Sequence, residues 1–356
     1  MWKGGALVPK KNVTIYDIAR EAGVSPATVS RILTDSTSVR KEKRDRVNEL
    51  IRKYNYRPNA MARALTETRS RVIGMVMADI SNPYYNSVFT ACTNEAFARG
   101  YMTMLFNTMS RPDMEQAALT KLLEQRVDAI IICGGRIDLV EQDPAFTQLL
   151  ETTLATTPVV VGSRSPDERI CGVAVDHETS VDLAMDYLIG LGHRDIGFIY
   201  TGQQYYGTQQ RLAHFRLKMA QGGLPVREEW LIPVPHYDSQ SGMEGVRKLM
   251  QLDHLPTALL GINDLVSVGI LQELLAQGLR VPEDISLVGF DNTFITSITT
   301  PKLTAIHYDY SEYARLLVDA AIAAIEGRRL PRNQLLPSAL AIHRSCTPPS
   351  RSQAAP

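Results

Sequence analysis

From position 72 onward the chain repeats one alternation: a short apolar run rich in β-branched residues, then an amphipathic stretch of helical length. The runs fall at 72–77, 102–106, 129–133, 159–162, 196–200, 258–262 and 285–290. The stretches between and after them fall at 84–99, 114–125, 178–189, 208–220, 242–251, 264–276 and 310–325. Strand–helix alternation of this length predicts parallel, doubly wound sheets. Roughly 270 residues exceed what one such sheet with ordinary loops accommodates, so the pattern predicts two α/β lobes. In such folds a ligand lies in the crevice at the carboxyl ends of the strands. Polar and aromatic residues just past the predicted strands are therefore the candidate binding residues.

The first 70 residues follow a different rule. Thr14 with Asp17 has the form of a helix N-cap with an acid in the first turn. Ile15, Ile18, Ala19 and Ala22 make one apolar face, and Gly23 ends that helix. Ser25 is a natural N-cap, and Pro26 suits the first helical position, where its missing N–H costs nothing. Val29, Ile32 and Leu33 form the buried face of a second helix, and Val47, Leu50, Ile51 and Tyr54 that of a third. Two helices joined by a short glycine turn and closed by a third make an all-α helix-turn-helix head. Residues 1 to 71 carry 16 Lys/Arg against 7 Asp/Glu, and the remainder 22 against 31, so the net charge of zero hides a basic head on an acidic body. That asymmetry suits a head that meets a polyanion.

The segment Thr-Ile-Tyr-Asp-Ile-Ala-Arg-Glu-Ala-Gly-Val-Ser-Pro-Ala-Thr-Val-Ser-Arg-Ile-Leu at 14–33 closely resembles the head of the LacI/GalR family of transcriptional regulators. The resemblance continues through Asp79-Ile80-Ser81-Asn82-Pro83-Tyr84-Tyr85, Gly190-Leu191-Gly192-His193-Arg194-Asp195-Ile196, Asn263-Asp264 and Val288-Gly289-Phe290-Asp291-Asn292. It implies a head at 12–58, a hinge helix and linker at 59–70, and an effector-binding and dimerisation body of periplasmic-binding-protein type at 71–346. The first lobe would take about 71–175 and 305–334, and the second about 176–304 and 335–346. The chain would cross between lobes near 175–177, 303–306 and 335. Residues 1–11 and 347–356 are expected to be loose tails.

The resemblance also implies roles. The helix that starts after Ser25 would lie in the major groove of a palindromic operator, with Pro26, Ala27 and Arg31 facing base edges. Arg31 is the candidate for a bidentate contact to guanine. Ala27 can at most touch a thymine methyl and departs from the larger polar residue of many relatives. Thr14, Tyr16, Ser25, Thr28 and Ser30 would hold phosphates, although capping is a competing role for Ser25. Asn59 would cap the hinge helix, Ala62 would lie within it, and Leu65 would be the wedge that opens a base step from the minor groove. In the body, Arg211, Asp291, Asn263 and Ser163 occupy polar effector positions, and Tyr84, Tyr85, Tyr237 and Phe215 aromatic ones. An Asp or Asn after a strand is also a common helix cap, and an aromatic a common core residue. His214 either touches ligand or fills space, and His193 is expected to be structural.

Polar clamps with aromatic faces suit a sugar or sugar derivative; a purine or nucleoside effector, or a corepressor, is the alternative reading. The family dimerises through both lobes, and without a C-terminal leucine heptad a homodimer is expected. No cofactor or metal is expected. The four cysteines, Cys92, Cys133, Cys171 and Cys346, are scattered as free thiols. Neither GxxxxGK[ST], GxGxxG after the first strand, GxSxG nor HExxH occurs, which points away from an enzyme. No apolar run of membrane-spanning length and no secretory signal is visible, so a cytoplasmic location is expected.

Overall fold

The computed structural model describes residues 13–33, 39–56, 69–328 and 331–350. They form two compact units, one before and one after the junction between Ser70 and Arg71. The expected hinge residues Asn59, Ala62 and Leu65 lie outside the described residues, as do 1–12 and 351–356.

The head has three helices: α1 (Ile15–Ala22), α2 (Pro26–Leu33) and α3 (Lys41–Tyr54). Thr14 and Asp17 close a full capping box, with the Thr14 N–H donating to Asp17 Oδ2 at 3.0 Å and the Asp17 N–H to Thr14 Oγ1 at 3.3 Å. Two of the orphan donors of a first turn are thereby satisfied. Gly23 ends α1 in the left-handed region at φ 69°, and the Val24 N–H reaches back to the Ala19 carbonyl. Ser25 caps α2 by accepting from the Thr28 N–H at 3.2 Å. Ile18, Ala19, Ala22, Val29, Ile32, Val47 and Leu50 are the buried core. Tyr54 is not part of it: 37% exposed, it donates through its hydroxyl to Glu21 Oε2 at 2.7 Å. Its polar end draws it to the rim, where it ties α3 to α1.

The body contains two six-stranded sheets. The first begins with β1 (Val72–Met77), α4 (Pro83–Ala98), β2 (Met102–Asn107), α5 (Pro112–Glu124), β3 (Ala129–Cys133), α6 (Pro144–Leu154), β4 (Val159–Val161) and β5 (Cys171–Val175). The second begins with α7 (His177–Gly190), β6 (Ile196–Tyr200), α8 (Tyr206–Gln221), β7 (Leu231–Pro233), α9 (Ser239–Leu249), β8 (Ala258–Gly261), α10 (Asp264–Ala276), β9 (Ser286–Asp291), α11 (Phe294–Ile298) and β10 (Thr304–Tyr308). Helix α12 (Tyr310–Ile325) and strand β11 (Asn333–Leu336) return to the first sheet, and β12 (Ser338–Ala341) ends in the second.

The strand order is β11-β5-β4-β3-β1-β2 in one sheet and β12-β10-β9-β8-β6-β7 in the other. All pairs are parallel except β10 with β12. In the first lobe Met75 pairs with both Leu105 and Ile131. Ile73, Met75 and Met77 belong to one apolar cluster, while Val76 belongs to the cluster of α5 and α6. That period of two, apolar on both faces, is what a parallel strand covered by helices on each side requires.

The lobe boundaries differ from expectation at one crossover. Residues 305–308 belong with the second lobe, because β10 pairs with β9 from Thr304 opposite Val288 to His307 opposite Asp291. The chain crosses at 175–177, 308–310 and 336–338. The expected C-terminal tail also begins later: the Thr347 N–H donates to Ser286 Oγ, and its carbonyl faces His193 Nε2 at 3.0 Å. Among the described residues no helix is long and apolar enough to cross a membrane.

Candidate effector cleft and DNA-reading helix

The ends of β1, β3 and β4 in the first lobe and of β6, β8, β9 and β10 in the second surround a cleft of about 970 Å³. This lies at the upper end of what small-molecule sites enclose. Tyr84 and Tyr85 enter it from the first turn of α4, which Asn82 starts by accepting from the Tyr84 N–H at 3.0 Å. Their rings meet edge to face at 5.1 Å, and Tyr84 packs likewise on Tyr308 at 6.3 Å and Tyr310 at 6.0 Å. The result is an aromatic wall that joins both lobes.

Arg211, in the second turn of α8, is 8% exposed. Its Nη1 donates to the Ile262 carbonyl at 2.7 Å and its Nη2 to the Tyr308 hydroxyl at 3.0 Å. The guanidinium lies 4.5 Å over the Phe290 ring, while its Nε is buried without a partner. Asp291 ends β9 with φ 92°, a left-handed conformation that is strained for a residue with a Cβ. Burial raises its carboxyl above the usual range, against the pull of Arg211. Behind it, Asp264 accepts from the Thr293 N–H at 2.7 Å and from Oγ1 at 2.6 Å. Burial, and then the charge of Asp291, pushes the Asp264 carboxyl up to about 8. The two buried carboxyls each disfavour ionisation of the other.

The other expected positions fall as follows. Ser163, after β4, and Tyr237, before α9, line the cleft. The Tyr237 hydroxyl lies 3.3 Å from Thr208 Oγ1. Asn263 lines it too, but its side chain is also structural: Oδ1 caps α10 through the Val266 N–H at 2.9 Å, and Nδ2 donates to the Tyr237 carbonyl at 3.2 Å. Phe215 is a correction. It is 1% exposed and packs on Phe198 at 5.8 Å, one turn further along α8, where that helix has sunk into the core of the second lobe. His214 also stays out of the cleft, with its ring nitrogens 3.5 Å from Glu178 and from Asp182 on α7. His193 is buried among Thr257, Ser286 and the Thr347 carbonyl, a structural position.

Asp138, His177 and Tyr308 line the cleft although the sequence reading did not single them out. Asp138 ends a 3₁₀ turn (Gly135–Asp138), and burial raises its carboxyl to about 6 against the pull of the Ser163 hydroxyl. His177 opens α7 at the first crossover; burial, then Arg211 and Arg164, holds it well below its ordinary value, so its ring is neutral. Gly207 leaves room for that ring, because a Cβ there would stand 2.7 Å from His177 Nε2. The Gly-Gly pair after β3 and an acid three residues on were the available signal for Asp138. Among the described residues no cluster of His, Cys, Asp and Glu could hold a metal ion.

In the head, Tyr16 is 69% exposed, and Thr14, Ser25, Ala27 and Arg31 are also exposed. Pro26, Thr28 and Ser30 are half-buried. Pro26, Ala27, Ser30 and Arg31 all lie on α2.

Comparison with known proteins agrees with this geometry. Residues 14–59 match the model of bacterial regulatory proteins of the lacI family, and residues 185–347 that of the periplasmic binding protein-like domain. The chain is 33% identical over 297 residues to catabolite control protein A of Priestia megaterium, covering 83% of this chain and 87% of that protein. It is 32% identical over 301 residues to the transcriptional repressor PurR of Pasteurella multocida, covering 84% and 87%. The solved structure of the Lac repressor dimer bound to operator and the anti-inducer ONPF superposes with a TM-score of 0.85 at 26% identity, covering 95% of this chain and all of that one. A helix-turn-helix head and a two-lobed body around a small-molecule cleft define a ligand-responsive transcription regulator. This chain belongs to the LacI family of bacterial regulatory proteins.

Proposed function

We propose that the protein is a cytoplasmic repressor that grips a palindromic operator as a homodimer and is switched by a sugar or sugar derivative bound between the lobes. The carrying observation is the cleft itself. Its walls bring together aromatic rings, a buried arginine and carboxyls, and four of its buried polar atoms have no partner: Asp138 Oδ1, Ser163 Oγ, His177 Nδ1 and Arg211 Nε. An unpaired buried polar group costs about 1–3 kcal/mol, so a ligand that satisfies several is bound with corresponding gain.

DNA reading rests on the basic head and on the exposure of α2, with Arg31 toward a guanine and Ala27 toward a thymine methyl. Thr14, Tyr16, Thr28 and Ser30 hold phosphates, and Ser25 combines that role with its cap. Asn59, Ala62 and Leu65 are the minor-groove contacts of this reading. Pairing of two chains is supported by large apolar residues left exposed on the body, Phe97, Met102, Leu275, Phe294 and Ile298 among them. The effector acts by preferring one lobe arrangement, since a ligand with equal affinity for both switches nothing.

Selection of duplexes from a random pool by the full-length protein, with and without sugars, tests this reading. A symmetric consensus whose recovery changes with one sugar supports it. Recovery of no consensus at moderate salt under any condition would sink it.

A further inference from the structure

One segment of the first lobe reaches the second across the cleft. Leu139 forms an antiparallel bridge with Tyr205, and the Val140 N–H donates to the Gln204 carbonyl at 3.0 Å. Gln204 and Tyr205 lie just before α8, the helix that carries Arg211. The segment is anchored in its own lobe by Arg136. The Arg136 N–H donates to Glu115 Oε1 at 3.0 Å, and its guanidinium pairs with both Glu115 and Asp143. Asp138 therefore sits between a fixed post and an interlobe clip.

The cation nearest to Asp138 along the chain is committed elsewhere, and Asp138 Oδ1 is buried beside the cleft without a well-formed hydrogen bond, the Ser163 hydroxyl being the neighbour that steadies its carboxylate. Arg211 Nε, also unpaired, needs an acceptor, whereas Asp138 needs a donor. Ser163 Oγ serves either way. A polyhydroxyl compound meets both demands, because each hydroxyl donates and accepts.

We propose that Asp138 is an effector-reading residue of the first lobe: it accepts a hydrogen bond from a hydroxyl of a neutral sugar, and the adjoining Leu139–Val140 clip makes that contact and lobe closure one event. This rests on the sugar reading given above and adds the residue and the coupling. Asp138 discriminates by needing a donor at one place in the ligand. A sugar whose hydroxyl there is methylated leaves the carboxylate unpaired.

The test is titration calorimetry on the full-length protein with D-glucose, D-galactose, D-ribose, maltose and cellobiose, and with adenine, guanine and hypoxanthine as the contrasting set. For whichever sugar binds, Asp138→Ala, which removes both acceptor oxygens, should weaken affinity at least tenfold. Val140→Pro should weaken it at least threefold, because it removes the N–H of the clip. The conformation of Leu139, φ −65° and ψ 137°, already suits a following proline. Circular dichroism and a retained thermal transition verify that each variant folds. An Asp138→Ala affinity within twofold of wild type would overturn the role of Asp138 while leaving the sugar reading intact. A Val140→Pro affinity within twofold would overturn the coupling. Binding of a base and of none of the sugars would overturn the sugar reading itself, and this inference with it.

Discussion

Replacing Arg211 with alanine separates the two halves of the molecule's work. The side chain makes two hydrogen bonds from a charged donor, to the Ile262 carbonyl and the Tyr308 hydroxyl, and stacks on Phe290. Each such bond contributes about 1.5–3 kcal/mol and a desolvated cation–π contact about 2. Releasing a buried guanidinium from its desolvation cost offsets several kcal/mol of that sum. The net expected loss is about 3 kcal/mol in the stability of the body. A domain this large loses about 2 °C of Tm per kcal/mol, so calorimetry on the full-length protein should show the body transition about 6 °C lower. Gel-shift assays at 20 °C, well below that transition, should show operator affinity retained and the effector response gone. Arg211→Lys, which keeps the charge but loses the fork, should recover part of the Tm and little of the response. An unchanged Tm would refute the accounting of its contacts, and a preserved response in the alanine variant would remove Arg211 from the effector site.

Three further outcomes are expected. Burial and then the charge of Asp291 raise the Asp264 carboxyl from 3.8 to about 8 in the folded body. Its stabilising contribution is complete below the unfolded value and is lost as pH rises through the folded one. His177, with a depressed value, gives the opposite slope, but only below its ordinary 6.5. Between pH 6.5 and 8 the wild-type Tm should therefore fall, and in Asp264→Asn, which keeps an oxygen for Thr293, that slope should flatten; thermal melts across the window decide it. Gly207→Ala should displace the His177 ring, seen as a shifted imidazole resonance in NMR, and weaken effector binding with little change in Tm. Arg31→Ala should cost about 1–3 kcal/mol on the preferred operator and relax base preference at one symmetric position, measured by fluorescence anisotropy on substituted duplexes.

Much of the architecture could be read from residue order because long helices and buried parallel strands carry strong periodic signals. Helices α10 and α12 begin and end where the pattern places them. The strands absent from that pattern, β5, β7, β10, β11 and β12, span three to five residues; unlike the equally short β4 and β8, β7, β10, β11 and β12 each contain a polar residue or a proline, and β5 follows β4 with no helix between them. A strand's pattern also says nothing about which sheet it joins, and so β10 was placed on the wrong side of a crossover. Phe215 misled for a related reason. It lies four residues after Arg211 and so on the same face of α8, yet one turn along that face separates cleft from core. Asp138 had no periodic context at all, since a 3₁₀ turn of four residues has no repeat to detect.

The three crossovers have a consequence for synthesis. Neither lobe is continuous in the chain: the first lacks α12 and β11 until residue 336 has been made, and the second lacks β12 until 341. A nascent chain that has emerged only to residue 308 exposes the apolar faces of β3, β4 and β5 that α12 later covers. Edge and face are open to wrong partners during that interval. A truncation that removes only the last fifty residues therefore dismantles the lobe encoded first, and premature stops near the end of the reading frame should yield aggregates rather than a shortened receptor.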